Sequence, residues 1–204
     1  ADVDVTTRRE RLPQNENIKY ICGNAHDIAF VRRIITAGYD AVIDFMNYHP
    51  AGEFLERCEL LTGSTGHYVF LSSSRVYADS PTPITETSPR LLDVCTDSEY
   101  LRTDEYALSK AREEDILRNS GTKNWTIIRP YITYSNERLQ LGVYEKERWL
   151  YRALQGKPVV FSEDIARART TLTWGHDVAE GIAGLLGRSG AFGQTFHITG
   201  DESM

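Results

Sequence analysis

Three hydroxyls stand side by side at Ser72-Ser73-Ser74, directly behind the apolar run Tyr68-Val69-Phe70-Leu71. About 30 residues later, Glu105-Tyr106-Ala107-Leu108-Ser109-Lys110 carries a tyrosine and a lysine four apart. On a helix that spacing puts Tyr106 and Lys110 on one face, one turn from each other. A phenol, with a reference pKa near ~10, is a poor acid or base at neutral pH. An ammonium beside it favours the phenolate and lowers that value. A serine hydroxyl from a neighbouring strand end could hydrogen-bond both the phenol and a substrate oxygen. Together these groups could move a proton on or off an alcohol oxygen while a nicotinamide carries the hydride. A tyrosine–lysine pair also arises on solvated helix surfaces, so the pair alone carries little weight. Its weight comes from the order: serine cluster at a strand end, tyrosine–lysine helix, then the strand-like Trp125-Thr126-Ile127-Ile128-Arg129-Pro130.

The elements that must position these side chains are legible as alternating patterns. Strands are expected over 3–6, 19–22, 41–45, 67–72, 125–129, 158–161 and 195–199. Helices are expected over 28–37, 53–62, 104–119, 145–155 and 177–186, with Gly38, Gly121, Gly156 and Gly187 as C-terminal caps. Several strands are continuous apolar runs, as strands buried on both faces of a parallel sheet are. Strand and helix in alternation predict an α/β protein with a doubly wound parallel sheet. Residues 78–103, with Pro81, Pro83 and Pro89, read as one long loop.

Composition limits the function classes. Of 204 residues, 41% are hydrophobic and 25% charged, which is ordinary for a globular domain. The net charge of -6 argues against nucleic acid, whose phosphates call for a basic face. No apolar run reaches the ~20 residues of a membrane span, so no membrane partner is expected. Cys22, Cys58 and Cys95 lack metal-type spacing, and His26, His49, His67, His176 and His197 show no ligand grouping, so no metal is expected. A reducing cytoplasm is the expected compartment. The sequence opens inside one apparent strand and closes just after another, and reads as the interior of a longer chain.

The chain resembles the extended short-chain dehydrogenase/reductases, the group of nucleotide-sugar epimerases, dehydratases and reductases. The matching features are Ser72-Ser73-Ser74-Arg75-Val76-Tyr77, Pro83-Ile84-Thr85-Glu86, Tyr106 with Lys110, Ile128-Arg129-Pro130, Asp177-Val178-Ala179 and Phe196-His197-Ile198-Thr199-Gly200. They occur in the family's order along nearly the whole chain. The resemblance implies a Rossmann-like dinucleotide-binding domain over 1–135, lacking its first strand and glycine-rich turn. It implies a partial substrate-binding region over 136–204, with segments that return to the sheet. Tyr106 would be the acid/base, Lys110 its activator and ribose anchor, and Ser73 the catalytic serine. Ser74 and Arg75 stand where the family's dehydratases carry Asp-Glu, so dehydration is not expected.

On the cofactor side, Thr7 occupies the place of the acidic residue that binds the ribose 2′-hydroxyl in NAD enzymes, followed by Arg8 and Arg9. An arginine there suits a 2′-phosphate, which leans the expectation from NAD to NADP; the bland reading is a solvated arginine pair. Asp27 and Ile28 resemble the family residues beside adenine, and Asp27 is also a plain helix N-cap. Phe45, Met46, Asn47 and Ser72 fall near the cofactor, and Pro130, Tyr131 and Ile132 near its nicotinamide. Gly187 through Gly193 has phosphate-loop spacing but follows a helix and precedes a strand, and is read as a connecting turn.

On the substrate side, Ser74, Arg75, Tyr77, Tyr134 and Arg169 are the candidates, with Arg167 equally placed beside a substrate diphosphate; the bland reading of both arginines is solvated charge. No Asn occurs in Tyr131-Ile132-Thr133, where many members contact the sugar nucleotide. The leading expectation is an NAD(P)-dependent epimerase or reductase of a nucleotide-activated sugar. An NADPH-dependent reductase of another small carbonyl comes second, and a non-catalytic dinucleotide-binding relative third. Family members pair through two helices, here 53–62 and 104–119, which makes a homodimer an expectation by analogy.

Overall fold

The computed structural model describes residues 1–142 and 144–203. In chain order its elements are β1 (Val3–Thr7), β2 (Ile18–Cys22), α1 (Ile28–Ile35), β3 (Tyr39–Asp44), α2 (Phe54–Ser64), β4 (Thr65–Leu71), α3 (Leu91–Val94), α4 (Tyr106–Arg118) and β5 (Trp125–Pro130). There follow β6 (Ile132–Tyr134), α5 (Lys146–Leu154), α6 (Glu163–Arg167), β7 (Leu172–Trp174), α7 (Gly175–Leu185) and β8 (Gln194–Ile198).

The centre is a four-stranded sheet in the order β3-β4-β5-β8, every pair parallel. Leu71 pairs with Ile128, and Ile128 with Phe196, so the carboxyl ends of β4, β5 and β8 lie level. Successive strand side chains point to opposite faces, and β4 uses both. Tyr68 and Phe70 pack with Phe30, Phe54, Cys58, Leu61 and Leu117 from α1, α2 and α4. Val69 packs on the other face with Ile128, Val178 and Ile182, under α7. Helices therefore cover both faces, which is the doubly wound α/β arrangement expected of apolar parallel strands.

Local signals explain the boundaries. Asp27 caps α1 by accepting from the Ala29 N–H at 2.9 Å. Gly38, at φ 77°, ends the turn after α1 in a conformation that costs glycine nothing. Gly23 has a different constraint, since a Cβ there would lie 2.0 Å from the buried Phe30 ring. Buried His67 ties the last crossover to the sheet. Its Nδ1 accepts from the Gly187 N–H at 3.1 Å and its Nε2 meets the Thr126 hydroxyl at 2.8 Å, which donates on to Ala191 O. Burial holds this imidazole below its ordinary pKa, which suits a neutral ring with one accepting nitrogen.

The structure differs from the sequence expectations in four places. The single expected sheet is divided: β1-β2 and β6-β7 form separate two-stranded parallel sheets. A side chain bridges toward the first pair, with the Tyr39 hydroxyl donating to Asp4 at 2.7 Å. Residues 158–161 are not a strand; Val160 is 73% exposed, and the segment has no neighbour to pair with among the described residues. The 78–103 stretch is not structureless, because α3 and a 3-10 turn at Tyr100–Arg102 interrupt it. The short β6, β7 and α6 carry too few residues to show a periodicity.

Candidate active site

The site grows from the carboxyl end of β4 and the first turn of α4. Glu105 caps α4, its carboxylate accepting from the Ala107 N–H at 2.7 Å. The same carboxylate accepts from the Tyr100 hydroxyl at 3.0 Å and pairs with Arg75 at 2.9 Å. One side chain thus holds the strand exit, the long loop and the helix start together. Tyr106, the first residue of α4, is half-buried there. The Ser73 hydroxyl sits beside its phenol and favours the ionised form. Ser73 also accepts from the Arg75 N–H at 3.2 Å, which fixes its rotamer at the strand exit.

Lys110 lies one turn further along α4 and is buried. Its ammonium lies 3.0 Å from the Glu113 carboxylate, donates to Met46 O at 3.1 Å and sits 4.6 Å over the Phe70 ring. Burial raises the Tyr106 phenol above its ordinary value, with Ser73 and Arg75 opposing and Glu113 adding to the rise. In this arrangement the nearest opposite charge to the Lys110 ammonium is the Glu113 carboxylate.

Behind the site lies a second buried charge centre. Glu114 is fully buried and takes a two-pronged contact from Arg129, Nε to Oε1 at 2.8 Å and Nη2 to Oε2 at 2.6 Å. Arg118 at 3.0 Å and Arg90 at 3.4 Å add further positive charge. Burial pushes the Glu114 carboxyl up, but Arg129, Ser72 and Arg118 outweigh it and leave it below its usual range. Two of the sequence candidates contact this centre. The Ser72 hydroxyl donates to Glu114 at 2.7 Å. The Tyr77 ring is buried between the Arg129 guanidinium at 4.6 Å and His197 at 5.3 Å. The Ser74 hydroxyl donates to Pro130 O at 2.7 Å, tying β4 to β5.

The other sequence candidates distribute as follows. Phe45, 63% exposed, and exposed Asn47 flank half-buried Met46 just past the end of β3. Exposed Arg8 follows β1, and Asp27 and Ile28 open α1 after β2. Pro130, Tyr131, Ile132 and Tyr134 are half-buried along β5 and β6, and Arg169 is exposed ahead of β7. Glu105, Glu113, Glu114 and Arg129 were not singled out as site residues. A signal existed, since Glu113 and Glu114 stand three and four residues after Lys110 and therefore share its helix face. One histidine also departs from expectation: His176, Asp177 and Glu180 bring one ligand atom each within 4.8 Å. All three are exposed at the start of α7, as solvated charges are. Among the described residues, no helix is long and apolar enough to cross a membrane.

No family model matches the chain, and no curated protein matches it. Solved structures do. An epimerase from Methanothermobacter thermautotrophicus superposes with TM-score 0.70 at 15% identity, over 100% of this chain and 66% of that one. A short-chain dehydrogenase/reductase superfamily protein from Agrobacterium tumefaciens, solved with bound NAD, gives 0.68 at 21% identity, over 98% and 71%. The UDP-glucuronic acid 4-epimerase from Bacillus cereus, solved with UDP-glucuronic acid and NAD, gives 0.67 at 16% identity, over 94% and 63%. The chain spans about two thirds of the length of these proteins. Its architecture is therefore the Rossmann-type α/β fold of the epimerases and short-chain dehydrogenase/reductases.

Proposed function

We propose that the chain is the dinucleotide-binding and catalytic part of an extended short-chain dehydrogenase/reductase, an NAD(P)-dependent epimerase or reductase acting at a hydroxyl or keto carbon of a nucleotide-activated sugar. The observation that carries this reading is the placement of Tyr106 beside Ser73 at the carboxyl edge of a parallel sheet, with Lys110 one turn inward. Ligands of doubly wound sheets bind at that edge. The donor set there fits a dinucleotide: exposed Phe45 offers a flat apolar surface past β3, and exposed Arg8 follows β1. Arg8, Asp27, Ile28, Phe45, Met46, Asn47, Lys110, Pro130, Tyr131 and Ile132 would line it.

A bound nicotinamide would supply the hydride acceptor and donor. The chain's own residues supply the rest. The Ser73 hydroxyl orients the substrate oxygen against the Tyr106 phenol. That phenol takes the proton from an alcohol oxygen or returns it to a ketone oxygen, and Arg75 stabilises the phenolate from the exposed side. Solved relatives in fold bind NAD, and one binds UDP-glucuronic acid. That supports a dinucleotide and a nucleotide sugar here, and NAD ahead of the NADP suggested by Arg8 and Arg9.

A second reading, an NADPH-dependent reductase of another small carbonyl, is favoured by the exposed Arg8-Arg9 pair and the lack of an Asn in Tyr131-Ile132-Thr133. A homodimer packed through α2 and α4, where Leu55 is 50% exposed, accompanies either reading. Hydride transfer is followed by nicotinamide absorbance while the full-length protein is given NAD or NADP with UDP-, dTDP- and GDP-sugars. Turnover or cofactor reduction with one sugar nucleotide is the expected result. Dinucleotide binding with a response only to other carbonyls would establish the second reading instead.

A further inference from the structure

Glu113 is a carboxylate in an unfavourable place. Its side chain is 1% exposed, and apart from the Lys110 ammonium neither oxygen has a hydrogen-bond partner among the described residues. The Tyr48 N–H faces it without reaching hydrogen-bond geometry. What compensates its charge is the Lys110 ammonium at 3.0 Å, itself 2% exposed. An isolated buried carboxylate is costly enough that it takes up a proton when its partner leaves.

The surrounding groups determine where such a proton goes. Asp44, at the end of β3, is the buried carboxylate that acts on Glu113. It accepts from the Tyr48 hydroxyl at 2.7 Å, the Tyr68 hydroxyl at 2.8 Å and the Met46 N–H at 2.9 Å. Three donors satisfy the Asp44 carboxylate. Arg57 on α2 is committed elsewhere, donating to His26 O at 3.0 Å and stacking 5.1 Å over the Tyr48 ring. Tyr106 faces the pair from the same helix. Burial raises Glu113 to about 7, with Lys110 pulling it down and Asp44 pushing it up. Of the two carboxylates, Glu113 is the one poised to be protonated near neutrality.

We infer that Glu113 is a positioning residue acting through Lys110: dinucleotide binding draws the Lys110 ammonium out of the buried pair, and a proton is taken up on Glu113. This rests on the reading of Lys110 as the ribose anchor. It also explains how one lysine can be neutralised in the free protein yet favour the Tyr106 phenolate once the cofactor is in place. No covalent step is involved; the proton comes from solvent and returns on release.

The sign follows from linkage. Without Lys110 beside it, Glu113 titrates higher than in the free protein, so between those two values binding consumes a proton. Affinity then weakens as pH rises above about 7, by up to ~10-fold per pH unit for one proton, and is flat at lower pH where Glu113 is already protonated. Calorimetric titration of the full-length protein with NAD in phosphate and in Tris, buffers of different ionisation heat, reads the proton directly. We expect uptake of up to about one proton at about pH 8 and almost none at about pH 6. Glu113→Gln should abolish the uptake and flatten the pH profile. Lys110→Met, which leaves Glu113 protonated beforehand, should abolish it too while weakening binding, and serves if the glutamine variant does not fold. If NAD does not bind, NADP is used, and the difference between wild type and Glu113→Gln separates Glu113 from the 2′-phosphate. Binding without uptake at about pH 8, or uptake that survives in Glu113→Gln, overturns this inference alone. Failure of both dinucleotides to bind overturns the functional reading and the inference with it.

Discussion

Tyr106→Phe is expected to lower kcat of the full-length protein by about 10²- to 10⁴-fold, while the dissociation constant for the dinucleotide stays nearly unchanged. The substitution removes one oxygen and leaves the ring, so the packing of the half-buried side chain at the start of α4 is kept. What is lost is the proton donor and acceptor next to Ser73. Ser73→Ala should cost less, because in the proposed mechanism the serine orients the oxygen but does not carry the proton. Steady-state turnover paired with calorimetric dinucleotide binding separates the two effects. Equal loss of turnover and binding in Tyr106→Phe would make Tyr106 structural and remove it from the chemistry.

The second large effect concerns stability. Glu114→Ala is expected to destabilise the fold by about 3–5 kcal/mol, the usual range when one partner of a buried ion pair is removed. Arg129, 2% exposed, would be left with an uncompensated guanidinium, and the Ser72 hydroxyl would lose its acceptor. The loss is read from the urea midpoint. Replacing Glu114 and Arg129 together with apolar residues should recover a good part of it, since the cost lies in the orphaned charge and not in the missing attraction. Acid should expose the same centre. Glu114 is held below its usual range, so its contribution is present above the unfolded carboxyl pKa and fades as pH falls through its lowered folded value.

The fold was legible where the physics is local and repeated. Apolar runs such as Tyr68-Val69-Phe70-Leu71 can bury both faces only in a covered parallel sheet, and that is where β4 lies. Caps were legible for the same reason: Asp27 and Gly38 act within a few residues of themselves. The site was legible to the extent that strand ends and helix starts place Ser73 and Tyr106, because both positions follow from element boundaries. Long-range charge pairing was not. That Arg129 and Arg90 find Glu114 depends on how α4 lies on the sheet, and spacing along the chain does not reveal that. Nor does it reveal that the Ser72 hydroxyl and the Tyr77 ring contact the buried Glu114–Arg129 pair. Lys110, read as an activator of the phenol, is found paired with Glu113. Residues 158–161 show a related failure: a run containing Val159, Val160 and Phe161 looks like a strand but needs a neighbour to become one.

On the proposed function, the carboxyl edge of the β3-β4-β5-β8 sheet holds a dinucleotide with its nicotinamide beside Tyr106 and Ser73. A crystal structure of the full-length protein grown with NAD or NADP tests it most directly. The expected density runs along that edge past Phe45, with the nicotinamide ring next to the Tyr106 phenol and the Lys110 ammonium turned from Glu113 to the ribose. A dinucleotide bound elsewhere, or bound with Tyr106 and Ser73 out of reach of its nicotinamide, would contradict the account.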